Sequence, residues 1–173
     1  MNTASYNLKD DDVKASEMDK EGVVMKIALR KCKTVDDFEK LLKELPKPLG
    51  VEANFGVIDA YGNGAYFETN NYTFKRFDLK DSPDGVLIRT NYSYSGRTDE
   101  GMGYVREENE KCLIQSHIDN GDFTPYDFTE KISKTYYHSV LKHDFTNDNL
   151  EWIVDQDFIP RRITSAVVCF EGV

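Results

Sequence analysis

An α+β fold, with antiparallel sheet layers flanked by helices, is what this sequence predicts, and three observations predict it. Apolar residues recur at three- and four-residue steps near the start, alternate at two-residue steps through the middle, and return to helical spacing afterwards. Turn residues separate the strand-like runs, which are grouped together and not interleaved with helices. The chain has 173 residues, 39% hydrophobic and 31% charged, which supplies one core and is too apolar for a disordered tail. One domain across residues 1–173 is the expectation.

The opening stretch carries an apolar patch, Ala4, Tyr6 and Leu8, read as the end of a strand, then the solvated acidic run Asp10-Asp11-Asp12. From Glu21 the residues Val24, Ile27, Ala28 and Lys31 mark a helix. Thr34 caps a second one, with Asp36 and Asp37 near the positive end of its dipole and Phe38, Leu41, Leu42 and Leu45 as its apolar stripe. Pro46 and Pro48 end it. After Gly50 a strand runs through Phe55, Val57 and Ile58, and Tyr61-Gly62-Asn63-Gly64 turns it back into Ala65-Tyr66-Phe67-Glu68. A third strand is expected over Tyr72 to Leu79, and a fourth, opened by Val86-Leu87-Ile88, ends near Asn91. Helical spacing resumes from about Glu100 and stops at Asp119-Asn120-Gly121-Asp122. Another helix is expected over Asp127 to Leu141, and a last strand over Ile163 to Phe170. With strands reaching both termini, the domain reads as an incomplete one.

Composition excludes several functions. The formal net charge of −9 argues against nucleic acid as a partner, because phosphate binding needs clustered Lys and Arg. No apolar run approaches the roughly 20 residues of a membrane helix, and no signal-peptide pattern follows Met1. The chain as given reads as soluble and cytoplasmic, or as periplasmic or secreted if a segment precedes it. Cys32, Cys112 and Cys169 lie far apart without a C-x-x-C pair, so free buried thiols are expected. His117, His138 and His143 do not make up a metal shell, and no metal or cofactor is expected.

Catalytic candidates are few. Cys112 and His117 share one predicted helix, where five residues turn their side chains about 140° apart. The acid pairs Asp59 with Glu68 and Asp155 with Asp157 read as solvated turn and loop carboxylates. Most informative is Leu87-Ile88-Arg89-Thr90-Asn91-Tyr92-Ser93, an apolar run that delivers an asparagine at its tip. An amide there can donate to a developing oxyanion without carrying charge, or it can satisfy its own turn.

The segment Ala53-Asn54-Phe55-Gly56-Val57-Ile58-Asp59-Ala60-Tyr61-Gly62, followed by Phe67-Glu68 and later by Thr90-Asn91, resembles one superfamily. These are the N-terminal-nucleophile amide hydrolases of the choloylglycine hydrolase, penicillin V acylase and isopenicillin-N acyltransferase type. Gly103-Tyr104-Val105-Arg106 and the run from Phe158-Ile159-Pro160-Arg161 into Thr164-Ser165-Ala166 are similar to later parts of the same pattern. The resemblance implies a four-layer αββα fold and cleavage of linear amides by a chain-initial Cys whose own α-amino group is the base. It gives Asn91 the oxyanion role and makes Asn54 and Arg106 further site candidates. A small acylated amine or amide is the implied substrate.

The chain begins Met1-Asn2, without the cysteine that the resemblance requires. The expectation is therefore a portion of an acylase, supplying sheet and oxyanion-side residues and inactive alone. A non-catalytic small-molecule binding module of the same fold is the alternative, and a structural or interaction protein rich in Tyr and Phe is a third reading. An incomplete sheet leaves open edges, so self-association or a companion chain is expected.

Overall fold

The computed structural model describes residues 5–170 and is a mixed α+β structure. The chain divides into two compact units, one running to Met102 and the other from Gly103.

The first unit opens with two helices. α1 spans Glu21–Lys31 and α2 spans Val35–Glu44. The expected cap of α2 is present as a capping box. The Thr34 hydroxyl accepts from the Asp37 N–H at 3.1 Å, and the Asp37 carboxylate accepts from the Thr34 N–H at 3.1 Å. A bond from the Lys33 N–H above all, and then these two, hold the Asp37 carboxyl below its ordinary pKa. Three antiparallel strands follow: β1, Ala53–Ile58; β2, Gly64–Thr69; and β3, Phe74–Asp78, in the order β1-β2-β3.

Register decides which side chains meet. Phe55 pairs with Phe67 and Asn54 with Glu68, so the phenylalanines share one face and the two polar residues the other. The apolar face packs on the helices. The Phe38 ring stands edge-on to Phe67 at 5.0 Å and to Phe55 at 5.6 Å, and Leu42, Val51 and Phe67 have no solvent contact. The turn from β1 to β2 is tied to α2 through Asp59. Its carboxylate accepts from the N–H groups of Tyr61, Asn63 and Val35 and from the Asn63 amide. Burial pushes the Asp59 pKa up, but these donors outweigh it and hold it below the ordinary value.

Several expectations give way here. Residues 86–91 do not form a fourth strand. Their neighbourhood is pinned by side chains from the sheet and not by a ladder. Tyr6–Leu8 is a 3-10 turn and not the end of a strand, while Ala4 lies outside the described residues. Cys32 follows α1 and is half-buried, and Cys112 and Cys169 are exposed, so the three free thiols are not core residues.

In the second unit α3 spans Tyr104–Asn120 and ends, as expected, on Gly121 in the left-handed conformation. The helix expected over Asp127 to Leu141 is cut short. Only a π-helical turn, Asp127–Lys131, and a 3-10 turn, Ile132–Lys134, form. The hydroxyls of Thr129, Ser133 and Thr135 each donate to the carbonyl four residues back, a pattern that bends helices. Tyr137–His138 (β4) then pairs with His143–Asp144 (β5). The strand expected over Ile163 to Phe170 is absent as regular structure, because no ladder partner reaches it among the described residues, and Ile163 and Phe170 are exposed. Phe158 is the centre of a small aromatic cluster with Tyr136, His138 and Phe145.

Asp127 anchors the π-helical turn. Its carboxylate accepts from Lys131 Nζ at 2.6 Å, Thr124 Oγ1 at 2.5 Å and the Thr124 N–H at 3.0 Å. Lys131 first, then Thr124, holds its carboxyl well below the usual carboxylate range. A depressed folded pKa gives stability that is full above the unfolded value of about 3.9 and is lost as pH falls from there toward the folded value. Denaturation followed at about pH 6 and about pH 3 should show that loss in the wild type and a smaller one in Asp127→Asn. Equal acid sensitivity in the two proteins would remove Asp127 from the account.

Candidate functional site

The second face of the sheet carries Asn54 on β1, its cross-strand partner Glu68 on β2, and then Tyr66 and Phe77. Asn54 and Glu68 are buried at 0% and 1% exposure. A buried polar group must be satisfied within the protein, and both residues are satisfied by one segment, Arg89 to Ser95.

Glu68 takes four donors from it. Oε1 accepts from Arg89 Nε at 2.9 Å and from the Tyr94 N–H at 3.0 Å. Oε2 accepts from the Ser95 N–H at 2.7 Å and the Ser95 hydroxyl at 2.5 Å. The Arg89 side chain is nearly as buried as the carboxylate, at 4% against 0%. Its guanidinium lies 4.6 Å from the ring centres of both Phe77 and Tyr94 and 5.6 Å from that of Tyr66, so aromatic faces replace water around the cation.

Asn54 grips the other part of the segment. Its Nδ2 donates to the carbonyls of Thr90 and Tyr92, both at 3.0 Å, and its Oδ1 accepts from the Ser93 hydroxyl at 2.5 Å. The network continues to Ser5, whose hydroxyl lies 2.5 Å from that of Ser93, and to Asn7. Asn7 Oδ1 accepts from the Ser93 N–H and its Nδ2 donates to the Ser93 carbonyl, so one side chain closes both ends of a residue. Ser5, Asn7 and Ser93 are all buried.

The predicted site residues therefore separate. Asn54 and Asn91 belong to one constellation, because Asn54 holds the residues on either side of Asn91. Asn91 is half-buried, and its carbonyl accepts from the Ser5 hydroxyl at 3.3 Å. Arg106 lies on α3 in the other unit, buried, where Nη1 donates to the Gln156 carbonyl at 2.5 Å. Beside it Asn109 donates to the Asp157 carbonyl and accepts from the Ser139 N–H. Asp59 and Glu68 do not make an acid pair. They sit toward opposite ends of the hairpin, separated by about 17 Å of strand. Glu68 is also no solvated carboxylate, which overturns that expectation.

Residues that sequence reasoning missed are Glu68, Arg89, Ser93, Asn7 and Ser5. The available signal was a carboxylate directly after the apolar run Ala65-Tyr66-Phe67, which a face open to water would explain equally well. An open cleft of ≈ 580 Å³ lies elsewhere, at the start of α2, lined by Thr34, Asp36, Asp59, Arg76 and Asp78 among others. At its wall Arg76 binds Asp36, Glu39 and Asp78. Among the described residues no group of three or more His, Cys, Asp or Glu side chains is placed to hold a metal ion, and no helix is long and apolar enough to cross a membrane.

Gly96, one residue past the segment, packs closely against Asn7. A Cβ there would stand 2.5 Å from Asn7 Nδ2 and 2.7 Å from the Asn7 carbonyl oxygen. Gly96→Ala should cost about 1–3 kcal/mol by overpacking, whereas Gly22→Ala on α1, with nothing within 4 Å, should be neutral or stabilising. Urea denaturation measures both, and a neutral Gly96→Ala would show that the contact yields freely. In comparisons with known proteins, no family model, no curated protein and no solved structure matches this chain.

Proposed function

We propose that this chain supplies the sheet and the oxyanion-side asparagine of an acylase-type hydrolase of linear amides. The observation that carries the reading is the placement of Asn91. It occupies a loop whose neighbours on both sides are hydrogen-bonded to buried side chains of the sheet, while the residue itself is half-buried and not sealed in the core. An asparagine whose flanking backbone is held in this way suits oxyanion stabilisation, which depends on a donor positioned in advance and not on one that must reorganise as charge develops. The resemblance of Ala53–Gly62 and Thr90-Asn91 to the N-terminal-nucleophile hydrolases supports the same role.

The division of labour follows from the chemistry. A nucleophile of this type needs a cysteine with a free α-amino group. Cys32, Cys112 and Cys169 are internal, with their α-nitrogens in peptide bonds. None of them serves as the nucleophile in this reading, which gives these 173 residues the scaffold and Asn91 and leaves the attacking thiol to a chain-initial cysteine. The αββα arrangement belongs to the same proposal, with the three-stranded sheet as part of one layer. Substrates are small acylated amines or amides.

The test is turnover of a panel of N-acyl p-nitroanilides, from acetyl to dodecanoyl, by the protein purified from its own cells with any chain that accompanies it. Asn91→Ala should lower kcat by about 10²–10³-fold, the usual loss for one oxyanion donor. Unchanged kcat would refute the assignment of Asn91. Tight binding of acyl anilides without turnover in the wild type would favour a binding module.

A further inference from the structure

Glu68 has a chemistry that the fold alone does not demand. A sheet face that needs only to be covered is covered best by apolar groups, and replacing buried ion pairs with well-packed apolar residues is often neutral or stabilising. Here a carboxylate with no solvent contact is instead filled by four donors, all from Arg89, Tyr94 and Ser95. Its cross-strand neighbour Asn54 holds Thr90, Tyr92 and Ser93. In chain order the attachments run Glu68 at 89, Asn54 at 90, then Asn54 at 92 and 93, and Glu68 at 94 and 95. Asn91 is the position bracketed by all of them.

We infer that Glu68 is a positioning residue for Asn91: paired with Asn54 across the β1–β2 ladder, it fixes the loop on both sides of that asparagine. The inference rests on the oxyanion reading of Asn91. It assigns Glu68 no contact with substrate. The acceptor-only character of the carboxylate is what matters, since every group facing it is a donor. A glutamine would place an NH₂ against two of those donors, and an aspartate would fall short by one methylene.

The test combines a loop readout and a kinetic one. Arg89 is withheld from trypsin while its side chain is buried under Tyr94 and against Phe77. In Glu68→Gln of the full protein, tryptic cleavage of the Arg89–Thr90 bond, followed by mass spectrometry, should accelerate by about tenfold or more relative to other sites. The thermal transition should stay cooperative. With the same acyl anilides, kcat should fall by up to about 10²-fold at unchanged KM, the scale expected when a catalytic group is misplaced by about 1 Å.

Wild-type protection of Arg89 would show that Glu68 does not hold the loop, and a loosened loop with wild-type kcat would show that its placement is irrelevant. Either result overturns the inference. If Glu68→Gln does not fold, Arg89→Lys keeps the cation and the other three donors and cleaves at the same bond. It should show the same pattern at smaller amplitude, and wild-type kcat with a loosened loop would overturn the inference there as well. Failure of the oxyanion reading is seen separately, as full turnover in Asn91→Ala, and failure of the amide hydrolase reading as no turnover in the wild type, while the cleavage result still decides whether Glu68 grips the loop.

Discussion

A carboxylate and a carboxamide buried side by side on a β-hairpin must be satisfied by something, and in this protein that requirement shapes everything on one side of the sheet. Asn54 and Glu68 face the same way because the register pairs them. Each side chain reaches backbone groups that a coil segment would otherwise give to water or to a ladder. The segment from Arg89 to Ser95 is thus ordered without being a strand. Its carbonyls at Thr90 and Tyr92 and its N–H groups at Ser93, Tyr94 and Ser95 all end on side chains. Such a network is stable only while complete, because a partly satisfied buried polar group costs more than an apolar one.

The opposite face follows ordinary packing. Phe55 and Phe67 close on Phe38 of α2, and Asp59 ties the turn of the hairpin to the first turn of that helix. The hairpin is therefore held from both faces, apolar on one and polar on the other. This rigidity passes to the loop. Asn91 is presented by a segment whose position is set by strands, which is the condition under which a donor can be fixed before charge develops.

Much of this was legible in the sequence, and the part that was not has a physical reason. α2 could be read because Thr34, Asp37 and the stripe Phe38-Leu41-Leu42 act within a few residues of one another. The β1–β2 turn could be read because only a few residues suit the positive φ adopted at Gly62. Val86-Leu87-Ile88 has the composition of a strand, but periodicity does not reveal that its continuation is claimed by Asn54, Glu68 and Asn7, which lie 21 to 86 residues away in the chain. The same holds for Ser5 and Asn7, whose patch reads as strand until Ser93 is placed against them. Glu68 reads as solvated because a two-residue period distinguishes the faces of a strand without saying what covers each. On α3, Arg106 and Asn109 spend their side chains on the carbonyls of Gln156 and Asp157, contacts equally invisible to local pattern.

The central claim is that buried polar side chains, Glu68, Asn54 and Asn7, order a non-strand loop as firmly as a ladder would. Native-state amide hydrogen exchange tests it most directly, because the N–H groups of Ser93, Tyr94 and Ser95 donate to side-chain acceptors: Asn7 Oδ1, Glu68 Oε1 and Glu68 Oε2. The account predicts that these three amides exchange at rates comparable to those of β1 and β2, although Tyr94 and Ser95 are exposed residues. Exchange of all three at the rate of an open loop, with β1 and β2 still protected, would contradict it.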